Sequence, residues 1–107
     1  MSVFEQTVTV SKRDTRNLDY WLTDNSDKSE RLYEELTYTK TAVFDDNFQM
    51  DIKCCGSNDD TAWTEAVLFD SDGCECSFTE ASDEFFGDWE LKWGDNVYRV
   101  HVVKETK

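Results

Sequence analysis

From residue 44 onward, apolar and polar side chains alternate one by one, the signature of β-strands whose two faces meet different surroundings. Phe48, Met50, Ile52 and Cys54 fall on one face, and Gln49, Asp51, Lys53 and Cys55 on the other. Residues 62–69 (AWTEAVLF) follow as a second strand, and Asp70-Ser71-Asp72-Gly73 reads as a tight turn with Gly73 where a positive φ is needed. The chain then returns through Cys74, Cys76 and Phe78, expected on one inward face. Trp89, Leu91 and Trp93 alternate with Glu90 and Lys92, Gly94-Asp95-Asn96 turns the chain, and Tyr98, Val100 and Val102 alternate with Arg99 and His101. This is a C-terminal β-hairpin, with both Trp89 and Trp93 expected in the core.

Upstream the pattern is thinner. Phe4, Val8 and Val10 give an N-terminal strand, and Leu18, Tyr20 and Leu22 a weaker one after a polar bend at residues 11–17. The one helical candidate follows Asp24-Asn25-Ser26, where Ser26 or Ser29 can cap and Leu32, Tyr33 and Leu36 recur at helical spacing. Residues 37–44 (TYTKTAVF) favour a strand, and Asp45-Asp46-Asn47 turns it into the strand at 48. The fold class expected is mostly β: an antiparallel sandwich or strongly curled sheet of seven to eight strands with one short helix, spanning residues 1–107 as a single domain.

With 107 residues and 14% aromatics, the chain carries enough apolar mass for a core. A chain of this size hides roughly 60–70% of its unfolded surface, enough to fold without staples though with a modest margin. No apolar run reaches the ~18–20 residues of a membrane span, and the start MSVFEQTVTVSKRD lacks a basic leader and apolar core, so a cytoplasmic address is expected. The thiols are then expected to stay reduced.

Charge is the most informative feature for function. There are 24 Asp plus Glu against 11 Lys plus Arg, a net charge of −13. Residues 44–95 hold 15 of the acids against only Lys53 and Lys92, a net of −13, whereas the other 55 residues hold nine of each sign. The imbalance thus belongs to one contiguous half, which argues against a charge spread evenly for solubility. Direct binding to nucleic acid, or to an anionic membrane, is disfavoured by the sign of the charge.

The acids of that half sit at turns and outward strand positions: Asp45, Asp46, Asp51, Asp59, Asp60, Asp70, Asp72, Asp83, Glu84 and Asp88. Outward residues two apart on a strand are separated by about 6.6–6.8 Å, close to the spacing of successive phosphates on one strand. Sequence neighbours in a meander usually pair in space, so a continuous acidic face or edge is expected. Phe85 and Phe86, in the turn-rich stretch before the last hairpin, are the candidate aromatic anchors beside it.

Other constellations carry less. Cys54, Cys55, Cys74 and Cys76 form CC and CxC pairs rather than the CxxC knuckles of zinc sites. Cys54 and Cys55 point to opposite faces, so buried free thiols at Cys54, Cys74 and Cys76 and an exposed Cys55 are expected, with a disulfide from Cys54 to Cys74 or Cys76 as the alternative. Asp70-Ser71-Asp72-Gly73 followed by Glu75 lacks the rest of a calcium loop. His101 is the only His and has no nucleophile to serve, no Gly-rich phosphate loop occurs, and nothing selects two carboxylates for acid–base work. No enzyme activity, cofactor or metal is therefore expected.

In composition alone, a short, Met-initiated, acidic, Pro-free chain resembles the small inhibitors encoded by phages and toxin–immunity systems. The reading that follows is a non-enzymatic, phage- or mobile-element-like inhibitor. Its acidic face would mimic a polyanion and occupy the basic nucleic-acid-binding groove of a host nuclease or other nucleic-acid-handling defence enzyme. The alternative is a sugar- or small-ligand-binding β-module that uses exposed aromatics, with Trp21 and Trp63 as the least determined of the four Trp.

Overall fold

A computed structural model describes residues 1–15, 18, 36–45, 47–56 and 62–106. Seven strands and one short helix are present among them: β1 (Ser2–Val10), α1 (Lys12–Thr15), β2 (Leu36–Val43), β3 (Phe48–Gly56), β4 (Ala62–Asp70), β5 (Glu75–Ser82), β6 (Gly87–Trp93) and β7 (Asn96–Lys104). They form two sheets, ordered β1-β7-β6 and β2-β3-β4-β5, packed face to face and not closed into a barrel. The mostly β sandwich expected from alternation is what the chain adopts. The weak strand around Tyr20 and Leu22 and the body of the helix sought after Ser26 lie outside the described residues. Leu36, assigned to that helix, instead opens β2.

The four-stranded sheet is an antiparallel meander whose inward residues alternate as the sequence dictates. Met50, Ile52 and Cys54 of β3 and Thr64, Ala66 and Leu68 of β4 are buried. The three-stranded sheet faces them with Trp89 and Leu91 of β6 and Tyr98, Val100 and Val102 of β7. One pairing departs from the antiparallel rule: β1 lies parallel to β7, with Phe4 beside Tyr98 and Val8 beside Val102. The first and last strands have the rest of the chain between them as a crossover, the connection a parallel pair requires.

Tyr98 ties the two layers together. Its ring stacks on Phe4 at 5.1 Å between centroids and meets Phe44 at 5.2 Å and Phe48 at 5.1 Å, the latter two flanking the β2–β3 turn of the opposite sheet. Offset and edge contacts of this kind add to the area each ring buries.

Three local departures have physical causes. Residues 11–17, expected as a bend, contain α1: Ser11 Oγ accepts from the Asp14 N–H at 3.2 Å and donates to the Asp14 carboxylate at 2.8 Å, while the Thr15 N–H donates to the Ser11 carbonyl at 3.0 Å. That is an N-cap closing one turn.

The second departure is in β5. Its register against β4 shifts between Leu68 and Phe69, so Leu68 pairs with Ser77 while Phe69 pairs with Glu75. The irregularity reverses the parity of the strand. Phe78 therefore points outward, 47% exposed, and Cys74 is exposed, not buried. Cys76 and Cys55 are each half-buried, Cys54 alone of the four is fully buried, and the Cys74 and Cys76 thiols are free. Burial and then the Asp70 carboxylate push the Cys76 thiol above its ordinary value, which keeps it protonated.

Third, Trp93 is 45% exposed where a core position was expected. It pairs with Asn96 at the very end of the hairpin, beyond the reach of the opposite sheet.

Candidate functional site

The acidic half of the chain does not stay on one sheet. Its first three strands, β3 to β5, join β2 in the four-stranded meander, but between Ser82 and Gly87 it crosses to the other layer, so Asp88 and Glu90 lie on β6. The turn carboxylates accordingly form two groups at opposite ends of the four-stranded sheet, roughly 20 Å apart at about 3.3 Å per residue along β4, with the Glu65 and Glu80 pair between them.

At one end, the β2–β3 and β4–β5 turns come together around a shallow concavity of about 560 Å³, bordered by Asp45, Asp51 and Asp70 together with Val43, Gln49 and Phe69. Asp72 stands exposed in the second of these turns. Two of the acids also shape the backbone. Asp45 Oδ1 accepts the Asn47 and Phe48 N–H groups at 2.7 and 3.3 Å, and Asp70 Oδ1 accepts those of Asp72 and Cys74, both at 2.9 Å. Short Asp side chains do this readily, and Gly73 completes the second turn at φ 78°. Asp51 lies on the outward face of β3 and accepts from the Thr41 hydroxyl at 2.8 Å. Charge reversal at Asp70 would therefore disturb a turn as well as a charge, whereas Asp72 is available for it.

At the other end, Glu84, Phe86, Asp88 and Glu90, with Thr79 and Trp89, line a second concavity of about 460 Å³ between β5 and β6. Asp83 precedes them at φ 57°, a left-handed conformation that Asp tolerates better than most residues. Two hydrogen bonds pin this corner. Thr64 Oγ1, buried on β4, lies 2.6 Å from the Glu84 carbonyl oxygen and 3.0 Å from that of Ala81, and the Trp89 indole N–H donates to the Phe85 carbonyl at 3.0 Å.

The pinning turns Phe85 inward. It is 1% exposed and meets Tyr38 edge-on at 5.7 Å. Phe85 is thus a core residue, which corrects its assignment as a surface anchor. Phe86 stays half-buried, with the Lys104 ammonium 5.6 Å from its ring centre. Replacing Thr64 with Val is expected to cost about 1–3 kcal/mol, because a part-buried carbonyl loses its donor. Urea unfolding measures the loss, and faster hydrogen exchange of the corner amides locates it.

The outer face of the three-stranded sheet treats its acids differently. On β7, Arg99 donates to Glu90 Oε2 at 2.8 Å and to Glu5 Oε1 at 3.4 Å, and His101 lies 2.7 Å from Asp88 and 3.3 Å from Glu5. Arg99 and His101, on the central strand β7, thus lie between carboxylates from β1 and β6. Asp88 and Glu90 are therefore matched by groups from the neutral half of the chain.

The bonds to Asp88 and then Glu5 raise the His101 pKa above its ordinary 6.5. The stability this gives is fully present below the unfolded-state value and disappears as pH rises through the folded-state value. Thermal melts should show a His101→Gln variant less stable than the wild type at pH 5.5, with the two converging by pH 8.5.

On the four-stranded sheet, by contrast, the only ion pair among the described residues is Lys53 with Glu65 at 3.8 Å. Among the described residues, Asp45, Asp51, Asp70, Asp72, Asp83 and Glu84 have no Lys or Arg partner. Asp46, Asp59 and Asp60, and Trp21 of the aromatic alternative, lie outside the described residues, and Trp63 is half-buried on the outer face of β4. Among the described residues no cluster of three His, Cys, Asp or Glu is arranged to hold a metal, and no helix is long and apolar enough to cross a membrane. Compared with family models, curated proteins and solved structures, the chain matches none.

Proposed function

We propose that this protein is a non-enzymatic, phage- or mobile-element-like inhibitor that presents a polyanion-like surface to the basic groove of a nucleic-acid-handling protein. The observation that supports it is the asymmetry of charge between the two sheets. Carboxylates on the three-stranded sheet have Arg99 or His101 as a partner, while those at the turns of the four-stranded sheet face no cation among the described residues.

Leaving such carboxylates unmatched costs the compact state through mutual repulsion. The same repulsion becomes attraction when a basic groove supplies the counter-charge, and it speeds encounter through long-range steering. The Asp45 and Asp70 carboxylates are held by hydrogen bonds to their own turns, so this part of the surface is preorganised and little freedom is lost on binding.

The test is competition. Purified nucleases and other proteins with basic nucleic-acid grooves are loaded with a short fluorescent duplex, and the protein is titrated in. Displacement of the duplex from at least one, weakening steeply as salt rises, is the expected result. Failure to displace it from any of them removes the proposal.

A further inference from the structure

We infer that the contact surface is the outer face of the four-stranded sheet, and that its occupant is a protein surface on which Lys and Arg surround an apolar projection. This rests on the inhibitor reading and names the part of the molecule that performs it.

The outward residues of β2 to β5 make an unusual face. The register aligns Val43 with Gln49 and Gln49 with Phe69, and one pair further along Asp51 with Val67 and Val67 with Phe78. Val43 is 58% and Phe78 47% exposed, while Val67, on the same outward side and outside the inter-sheet core, is only 3% exposed. A small apolar patch therefore assembles on the side of the sheet that alternation assigns to solvent.

Charge decides the occupant. The patch is bordered by Asp45, Asp51 and Asp70, and its one cation among the described residues, Lys53, is already beside Glu65. A second copy would set these carboxylates against their own kind, each copy carrying a net −13. Nucleic acid is repelled for the same reason. A basic surface with an apolar projection satisfies both features: the projection covers Val43, Phe69 and Phe78, and its flanking cations meet the rim.

Two synthetic peptides of equal length and charge test this, one alternating Lys with Leu and the other Lys with Ser. Amide shifts are mapped on the isotope-labelled protein. The Lys–Leu peptide is expected to bind about tenfold more tightly, with shifts centred on β3, β4 and β5. A Val43→Ser, Phe78→Ser double variant should reduce it to the level of the Lys–Ser peptide; both residues are about half exposed, and an unchanged amide spectrum of the free variant verifies the fold.

Equal affinity of the two peptides, shifts confined to β1, β6 and β7, or self-association of the wild type that the double variant abolishes would each overturn the inference. If the Lys–Leu peptide docks as expected while no duplex is displaced from any groove, the inhibitor reading falls and the docking face stands. Displacement of duplex by a protein that treats the two peptides alike has the opposite meaning.

Discussion

Replacing Tyr98 with Ala lowers the stability of this fold by about 3–5 kcal/mol, the usual loss for deleting a fully buried aromatic. The side chain is 0% exposed and is the one ring in contact with Phe4, Phe44 and Phe48 together. Its removal opens a cavity between the layers and uncouples the parallel β1–β7 pair from the β2–β3 turn. A domain of this size has about 5–15 kcal/mol in all, so much of the margin goes. The Tyr98→Phe variant separates packing from hydrogen bonding. It gives up only the bond from the Asn96 amide at 3.2 Å and should lose about 0.5–1.5 kcal/mol. Urea midpoints for the two variants measure both; equal losses would contradict the account of the core.

The second large effect separates two neighbouring rings. Phe85→Ala is expected to cost about 3–5 kcal/mol, because the ring is inside the core against Tyr38. Phe86→Ala, at a half-buried ring covered on one side by Lys104, should cost roughly 1 kcal/mol or less. Loss of partner binding in Phe85→Ala would thus report unfolding, and Phe86 is the position at which contact can be probed cleanly. Thermal melts on both, read before any binding assay, establish the difference. Similar destabilisation at the two positions would show that the corner is not held as described.

Much of the fold is legible in the sequence because burial on one side of a sheet writes itself as alternation. The inward rows Met50-Ile52-Cys54 and Tyr98-Val100-Val102 are read correctly for that reason, as are the Asp70–Gly73 turn and the terminal hairpin. The errors fall where a two-residue period carries no information. An irregularity between Leu68 and Phe69 reverses the parity of β5, so Phe78 exchanges faces with its neighbours, and no residue type marks the shift.

Two adjacent phenylalanines cannot both follow one face, and the inward turn of Phe85 depends on Thr64, a residue 21 positions earlier in the chain. The pairing of β1 with β7 joins the ends of the chain and is invisible to any local pattern. One missed element did leave a signal: Ser11-Lys12-Arg13-Asp14 has the spacing of a capping box and marks the start of α1.

The acidic positions were legible individually, since turn and outward residues are easy to recognise, but their grouping was not. Whether Asp88 stands beside Asp72 or across the molecule depends on the crossing between sheets after Ser82. Only the structure shows that Arg99 and His101 partner the carboxylates of β6 and of Glu5, and that among the described residues the four-stranded sheet has no equivalent set. Val43 and Phe78, the exposed members of the apolar patch, were missed because each reads singly as an ordinary strand residue.

Displacement of a short duplex by an Asp51→Asn, Asp72→Lys, Glu84→Lys triple variant, set beside the wild type over a range of salt, tests the polyanion claim most directly. These three side chains are spared the turn-forming bonds of Asp45 and Asp70. The account predicts at least tenfold weaker displacement by the variant, with a shallower dependence on salt and an unchanged fold. Displacement that is indifferent to the three substitutions and to salt, or a ternary complex in which duplex and protein share the groove's owner, would contradict it.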